Sequence, residues 1–183
     1  MKLYLNYDIN VVYKAVLKEQ LDKTDIQYEL NGIGEVNLLK NIDSNELKTL
    51  SDQLEKYGIT IIEDYKSQLV QRIKDSVTEM IYNEEYEEKS YKVSVYLSEK
   101  LNYSYTYLSN LFSEVTYTSI ENFIILKRID YVKSLIINDE LTLTEIAYKL
   151  NYSSVAHLSA QFKKTTGLTP TVFQKIITRR KKE

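Results

Sequence analysis

The sequence has 183 residues, of which 43% are hydrophobic, and a formal net charge of −2 at pH 7. Its length allows one domain or two small ones, and it contains no run of roughly 18 apolar residues that would predict a membrane span. The absence of cysteine excludes disulfides and thiolate metal sites and suits a cytoplasmic protein, and the N-terminal residues lack the pattern of a secretory signal.

The small net charge hides a difference between the two ends of the chain. Residues 1–64 hold seven Lys and Arg against twelve Asp and Glu, whereas residues 141–183 hold eight against two. A basic C-terminal region is typical of proteins that bind nucleic acid, although a solvated tail has the same composition. The acidity of residues 1–64 argues against their contact with DNA.

The N-terminal third alternates between strand and helix patterns. Residues 2–7 alternate apolar and polar side chains as a strand does, and a helix capped by Asn10 follows. The Asn-Gly pair at 31–32 predicts a hairpin. A second helix then runs from a cap at Ser44 to a stop at Gly58.

A strand pattern over 59–63 completes the order βαββαβ. This order predicts an α+β ferredoxin-like domain over residues 1–64, with two helices on one face of an antiparallel sheet. The remaining residues, 65–183, predict an all-α domain. It begins with an amphipathic helix over 66–82, and the acidic stretch over 83–90 is interpreted as a solvated loop.

One phrase occurs twice in the helical part of the chain. "KLNYSYTYLSNLF" begins at Lys100 and "KLNYSSVAHLSAQF" at Lys149, so Leu-Asn-Tyr-Ser recurs at a spacing of 49. Each copy reads as a helix, a short polar turn and a second helix with inward Leu and Phe side chains. This is the pattern of a helix-turn-helix, whose second helix fits the major groove. A helical hairpin repeat used as a protein scaffold also fits this spacing.

The stretch "LTLTEIAYKLNYSSVAHLSAQFKKTTGLTPTVFQK" resembles the second helix-turn-helix of the AraC/XylS family of bacterial transcription regulators. "YLSEKLNYSYTYLSNLFSEVT" is similar to the first, and the resemblance covers about residues 66–183. It implies two helix-turn-helix motifs joined by a linker helix, which read two successive major-groove segments about 34 Å apart. It also implies double-stranded DNA as the partner, with RNA polymerase as a second candidate.

Periodicity on the two second helices gives the candidate site residues. Candidate base contacts are Tyr105, Thr106, Ser109, Asn110, Ser154, Val155, Ala156, His157, Ser159 and Ala160. Candidate phosphate contacts are Ser104, Ser153, Lys163, Lys164, Arg179 and Arg180, with Lys181 and Lys182 behind them. Arg128 is interpreted as a clamp of the linker helix.

Two features depart from the family pattern, and one residue has two interpretations. No candidate base contact is Arg or Lys, so we predict an A·T-rich site read through Asn110, thymine methyls and shape. The family has a glycine where this sequence has Tyr117, so we expect that turn to differ. His157, the one histidine, has two interpretations, a DNA contact or a partly exposed helix position.

The element order of residues 1–64 resembles a heavy-metal-associated domain of the copper-chaperone type. The family's Met-x-Cys-x-x-Cys loop is replaced by Asp8, Asn10 and Tyr13, and without thiolates we predict no metal and no other cofactor. The alternatives for this domain are a degenerate sensor of an unknown ligand, a surface for self-association or another partner, and a brace for the DNA-binding domain.

Two functions remain open from the sequence. The first is a sequence-specific DNA-binding transcription regulator, and the second is a helical adaptor that has lost specific DNA binding. An enzyme is not predicted, because the sequence has no glycine-rich phosphate loop, no H-E-x-x-H pattern and no other catalytic constellation.

Overall fold

The protein is described by a computed structural model that covers residues 2–3, 5, 7–82, 92–138 and 141–180, with the backbone alone for Arg180. The described residues form nine helices and one two-stranded antiparallel sheet. They divide into two compact units, Met1–Asp75 and Ser76–Glu183. Within the described ranges no helix is both long and apolar enough to cross a membrane.

The first unit contains a helix, a hairpin and a second helix, and the start of a third helix. Their bounds are α1 Ile9–Asp22, β1 Tyr28–Asn31, β2 Glu35–Leu38, α2 Ser44–Glu55 and α3 Tyr65–Tyr82, the last of which continues into the second unit. The hairpin pairs Tyr28 with Leu38 and Asn31 with Glu35. Gly32 takes the positive φ of 71° that its turn requires, so the predicted hairpin is confirmed.

Aspartates rather than the predicted residues cap the first two helices. Asp8 Oδ1 accepts the Asn10 N–H at 2.8 Å, and Asp43 forms a capping box with Glu46. The predicted caps at Asn10 and Ser44 are therefore wrong. The predicted stop at Gly58 is confirmed, since this residue has a φ of 72°.

The core of the first unit lies between α1 and α2. Its buried residues are Leu17, Leu21, Leu50 and Leu54, packed by Tyr13, Ile26, Tyr28, Val36 and Ile59. Leu47 and Tyr57 continue the helical spacing of Leu50 and Leu54 in the sequence, but both are exposed. The amphipathic spacing therefore identified the centre of this contact but not its limits.

The predicted ferredoxin-like sheet is not evident in the described residues. Residues 59–63 form no strand, and neither do positions 2, 3, 5 and 7. Leu3 and Leu5 are 72% and 84% exposed, so these two side chains are not packed against a core. Alternation marks a strand only when a paired neighbour and a core are present, and here the described sheet ends at β1 and β2.

The second unit is all-α beyond the end of α3. Its helices are α4 Val93–Leu101, α5 Tyr105–Thr116, α6 Ile120–Asn138, α7 Leu143–Lys149, α8 Val155–Thr166 and α9 Pro170–Arg180. We call α4 with α5 the first helix pair and α7 with α8 the second helix pair. The long helix α6 lies between them in the chain and contacts α5, α8 and α9.

Two local sequence patterns of the second pair predict capping, and both are present in the structure. The Thr-x-x-Glu pattern of Thr142 and Glu145 forms a capping box at the start of α7. Thr169 Oγ1 accepts the Val172 N–H at 3.3 Å, directly before Pro170 opens α9. The predicted loop over 83–90 lies outside the described residues.

A core built on α6 supports the second pair. Its buried residues are Ile129, Val132, Leu135, Ile136, Ile146, Ala147, Leu150, Tyr152, Leu158 and Phe162. Phe162 packs on Phe173 of α9 with ring centroids 5.6 Å apart at 58°, and Phe112 packs on Phe123 of α6 at 5.6 Å and 56°. The two pairs thus anchor their second helices through the same kind of aromatic contact.

The repeat spacing changes within the second turn. Leu101 and Leu150 lie 49 residues apart, whereas the buried Leu108 and Leu158 lie 50 apart. The second turn therefore has one residue more than the first. The serine that caps each second helix shows where it lies: Ser104 caps α5 and Ser154 caps α8, so Ser153 is the additional residue.

The turn after α5 keeps the geometry of its counterpart after α8. Tyr117 has a left-handed φ of 57° and Gly167 one of 81°. The Tyr117 N–H donates to Ser113 O at 3.0 Å, and the Gly167 N–H donates to Lys163 O at 2.8 Å. The prediction that this turn must differ is therefore wrong, because a tyrosine adopts the glycine conformation.

We expect Tyr117→Gly to raise the free energy of unfolding by about 0.5–1 kcal/mol. A left-handed backbone costs a non-glycine residue about 1–2 kcal/mol, and the entropy of glycine in the unfolded chain offsets part of the relief. The Tyr117 side chain is 95% exposed, so little packing is lost. Urea denaturation followed by circular dichroism measures the change.

Gly167→Ala is the matched control for this substitution. A Cβ at Gly167 meets nothing within 4 Å, so only the backbone conformation opposes the alanine, and a loss of about 1 kcal/mol is expected. A destabilised Tyr117→Gly variant would show that the tyrosine ring contributes more than its backbone costs.

Candidate nucleic-acid interface

The second helix of each pair has one buried and one exposed face. Leu108, Leu111 and Phe112 of α5 are buried, as are Leu158 and Phe162 of α8. The exposed face of α5 carries Thr106, Tyr107, Asn110 and Glu114, and that of α8 carries Ala156, His157, Ala160, Lys163 and Lys164. The predicted outward positions therefore lie on the solvent side, with Tyr105, Ser109, Val155 and Ser159 half-buried beside them.

The two exposed faces differ in charge at equivalent positions. With the spacing of 50, Ser113 and Glu114 of α5 correspond to Lys163 and Lys164 of α8. No Lys or Arg occurs in α5, and no Asp or Glu occurs in α8. The electrostatic attraction for a phosphate backbone is consequently concentrated on the second pair.

A hydrogen bond to the start of α6 holds the first residue of α5. The Tyr105 hydroxyl donates to Glu121 Oε1 at 2.5 Å. Burial and this hydrogen bond raise the pKa of Tyr105, and the same hydrogen bond lowers the pKa of Glu121. The hydroxyl of Tyr105, a predicted base contact, is thus already engaged within the chain.

We expect Tyr105→Phe to cost about 0.5–1 kcal/mol of stability near neutral pH, because it removes one exposed hydrogen bond to a carboxylate. Since the folded-state pKa of Glu121 is depressed below its ordinary value of 4.5, this stabilisation is complete above that value. It is lost as the pH falls further, through the folded-state pKa. Urea denaturation of both proteins from pH 7 to pH 3 should show the curves converging, whereas a constant gap would exclude the carboxylate.

The serines of the two turns have different partners. Ser104 Oγ accepts the Tyr107 N–H at 3.3 Å, and Ser154 Oγ accepts the His157 N–H at 3.1 Å. Ser153, predicted as the counterpart of Ser104, instead lies with its Oγ 3.1 Å from His157 Nδ1. Each capping serine still has its own O–H to donate outward.

The structure describes the side chains of three of the basic residues predicted to contact phosphates. Lys163, Lys164 and Arg179 are exposed, and neither lysine takes part in an ion pair within the described part of the chain. The side chain of Arg180 is not described, and Lys181 and Lys182 lie outside the described residues.

Arg128 lies half-buried in α6 beside the second turn. Burial raises the pKa of the Tyr152 hydroxyl, and the positive charge of Arg128 acts on it in the opposite direction. The hydroxyl is buried and has no hydrogen-bond partner within the described residues. The role of Arg128 as a clamp of α6 stays a prediction.

Tyr107 lies on the exposed face of α5 but was not among the predicted base contacts. It is 43% exposed, and its ring packs on Tyr103 with centroids 5.4 Å apart. Tyr107 corresponds to His157 at the spacing of 50, and the buried pairs Leu108–Leu158 and Phe112–Phe162 at that spacing are the signal that would have identified it.

Part of the chain matches a known protein family and has a fold similar to that of solved structures. Residues 97–176 match the family described as a helix-turn-helix domain. The C-terminal domain of AraT, a response regulator from Geobacillus stearothermophilus, is similar with a TM-score of 0.52 and 22% identity, over 62% of this chain and 88% of that one. No curated protein matches the chain.

Two further solved structures have a similar fold. A DNA-binding transcriptional dual regulator from Escherichia coli K-12 has a TM-score of 0.50 and 16% identity, over 66% of this chain and 98% of its own. The DNA-binding domain of AdpA, a global transcriptional factor in complex with a target DNA, has a TM-score of 0.50 and 15% identity, over 66% and 99%. Residues 97–176, which contain α5 to α8, therefore match the helix-turn-helix family, and the three solved structures have a similar fold over 62–66% of this chain.

Proposed function

We propose that the protein is a DNA-binding transcription regulator whose helices α5 and α8 enter two successive major-groove segments. One observation carries this proposal. The same helix pair occurs twice within the helix-turn-helix domain, each time with a buried Leu and Phe behind an exposed polar face on the second helix. A protein that reads two groove segments about 34 Å apart needs two such helices, and this chain supplies both.

The two helix pairs make different contacts in this proposal. The second pair binds the phosphate backbone of the DNA through Lys163 and Lys164, and the first pair contacts base edges through Thr106 and Asn110. An asparagine bonds adenine bidentately, and the alanines of α8 contact thymine methyls, so the expected site is A·T-rich.

Residues 65–183 are the DNA-binding domain in this proposal, and residues 1–64 are a separate domain for self-association or for an unknown ligand. The acidity of residues 1–64 supports this division, because like charge repels a phosphate backbone. RNA polymerase is the second partner of the proposed regulator.

The decisive experiment is selection of duplexes from a random pool by the full chain, followed by titration of the selected site at several salt concentrations. The proposal predicts one enriched site with two half-reads one helical turn apart, and an affinity that falls as salt rises. G-rich sequence in both half-reads would contradict the A·T-rich reading. No binding of any duplex at low salt would overturn the function itself.

The Asn110→Ala variant distinguishes sequence-specific binding of the selected site from non-specific binding of any duplex. We expect about five- to a hundred-fold weaker binding of the selected site, which corresponds to the 1–3 kcal/mol of a bidentate base contact, and little change on unrelated duplexes. Asn102→Ala in the preceding turn is a control for helix stability, because Asn102 is a left-handed residue outside the exposed face of α5. If the Asn110→Ala variant prefers the selected site over unrelated duplexes as strongly as the wild-type chain does, Asn110 does not contact a base.

A helical adaptor is the second candidate function. The observation in its favour is that the exposed face of α5 carries Glu114 and no basic side chain. The same selection experiment distinguishes the two functions, because an adaptor enriches no sequence.

A further inference from the structure

The turn before α8 contains a contact that the turn before α5 lacks. Ser153 is the additional residue of this turn, and its Oγ lies 3.1 Å from Nδ1 of His157. Ser154 already caps α8 by accepting the His157 N–H. The hydroxyl of Ser153 is therefore not needed for capping and is available to the imidazole.

A second contact fixes the same ring. The Tyr152 and His157 rings meet edge to face, with centroids 5.3 Å apart at 82°. Tyr152 is 8% exposed and belongs to the core around α6, so it is a rigid support. One hydrogen bond and one ring contact together restrain the position and the rotation of the imidazole.

The location of the ring favours one tautomer. His157 lies in the first turn of α8, where the unpaired N–H groups of the helix give a positive potential. A lone pair is better placed than an N–H beside that end, which favours Nδ1 as the acceptor of the Ser153 hydroxyl. In that tautomer the proton is on Nε2. His157 is an exposed residue, and its Nε2 has no hydrogen-bond partner within the described residues.

We propose that Ser153 and Tyr152 hold His157 as a fixed hydrogen-bond donor that reads an acceptor atom on a base edge. The part of this inference that concerns DNA rests on the proposed function. Acceptors in the major groove are N7 of either purine, O6 of guanine and O4 of thymine, whereas the amino groups of adenine and cytosine are donors. A ring nitrogen that only donates, as Nε2 would here, bonds the acceptor atoms and not the amino groups.

The first helix pair shows what the additional serine changes. Tyr107 corresponds to His157 and packs on Tyr103, the tyrosine of its own turn, at 5.4 Å. Its hydroxyl both donates and accepts, so Tyr107 does not discriminate donors from acceptors. Both pairs thus place an aromatic side chain on a turn tyrosine, and only the second adds a serine that orients a ring nitrogen.

The tautomer can be measured without DNA because His157 is the only histidine in the chain. Labelling histidine with nitrogen-15 gives the spectrum of a single ring, recorded at about pH 8.5 where an ordinary histidine is neutral. We expect Nδ1 to be unprotonated and Nε2 protonated in the wild-type chain. Ser153→Ala should shift the ring towards a mixture of tautomers, and Ser153→Thr should restore the wild-type spectrum.

Two spectra would overturn the positioning role. A proton on Nδ1 in the wild-type chain contradicts the assigned direction of the hydrogen bond. A wild-type spectrum in Ser153→Ala shows that the serine does not set the tautomer. Circular dichroism of each variant serves as the folding control, and α8 should remain intact because its cap at Ser154 is retained.

The base contact is tested with His157→Phe on the selected duplex. Phenylalanine keeps an aromatic ring on Tyr152 and removes both nitrogens, so we expect about three- to ten-fold weaker binding, the effect of one neutral hydrogen bond. The loss should disappear when one particular base pair is changed to remove its acceptor, and Ser153→Ala should show part of the same loss. Equal weakening on every sequence would overturn the base contact in favour of a phosphate contact.

Failure of this inference and failure of the proposed function give different results. If the wild-type chain binds no duplex, the regulator function fails together with the base contact. The nitrogen spectra still decide whether Ser153 orients His157. If the chain binds a specific site and His157→Phe binds it equally well, the function stands and the base contact is wrong.

Discussion

Replacement of both Lys163 and Lys164 by alanine is expected to weaken binding of duplex DNA roughly ten-fold at moderate salt. The slope of log affinity against log salt should become shallower by about two, since each phosphate contact contributes roughly 0.9. These two side chains are the only lysines or arginines of α8, so their loss would remove most of the phosphate contact proposed for that helix. Fluorescence anisotropy titrations at four salt concentrations give both values.

The first helix pair provides the matched control. Ser113 and Glu114 occupy the positions equivalent to the two lysines, and their replacement by alanine removes no positive charge. We expect unchanged or slightly stronger DNA binding from this variant. Changing both residues to lysine should strengthen binding and steepen the salt dependence. An unchanged salt slope in the α8 variant would show that these lysines do not face the phosphates.

Phe112→Ala and Phe162→Ala are expected to lower the free energy of unfolding by about 3–5 kcal/mol each. Both side chains are 0% exposed, and each packs its ring on another phenylalanine at 5.6 Å. Truncation leaves a cavity behind the second helix that the neighbouring rings fill only in part. Urea denaturation followed by circular dichroism measures the loss.

Tyr148→Ala serves as the control for these core variants. It also removes an aromatic ring from a helix, but this ring is 86% exposed, so a change within about 0.5 kcal/mol is expected. A loss below about 1 kcal/mol in either phenylalanine variant would contradict the packing described for that helix pair.

Local hydrogen-bonding chemistry explains why some elements could be predicted from the sequence. Thr142 with Glu145, Thr169 before Pro170, and Gly58 each satisfy backbone groups within one turn of the chain. No distant partner is needed for such signals. Where two residues of the capping type stand close together, as Asp8 and Asn10 do, the pattern cannot choose between them, and the aspartate proved to be the cap.

The predictions of strands over 2–7 and 59–63 were wrong for the opposite reason. Strand formation depends on a partner and a buried face, and the alternation of Leu3 and Leu5 carries no information about either. The all-α region was predicted better because each amphipathic helix contains its own hydrogen bonds and needs from its neighbours only an apolar surface.

The candidate site was predictable in outline and not in detail. Helical periodicity correctly placed Thr106, Asn110, Ala156 and Ala160 on exposed faces. It did not reveal that the Tyr105 hydroxyl is bound to Glu121, because that contact depends on how α6 begins. Their contacts with DNA remain predictions.

The additional serine of the second turn has a consequence for helical phase. One residue inserted inside α8 would rotate every later side chain by about 100° around the helix axis and expose the buried Leu158 and Phe162. Ser153 precedes the cap at Ser154, so it does not change the position of any residue within α8, and the buried face of this helix stays in place. The segments 105–116 and 155–166 therefore have equal length, each bounded by its own serine and left-handed residue, and the additional residue lengthens the turn without shifting the buried face of the helix that follows it.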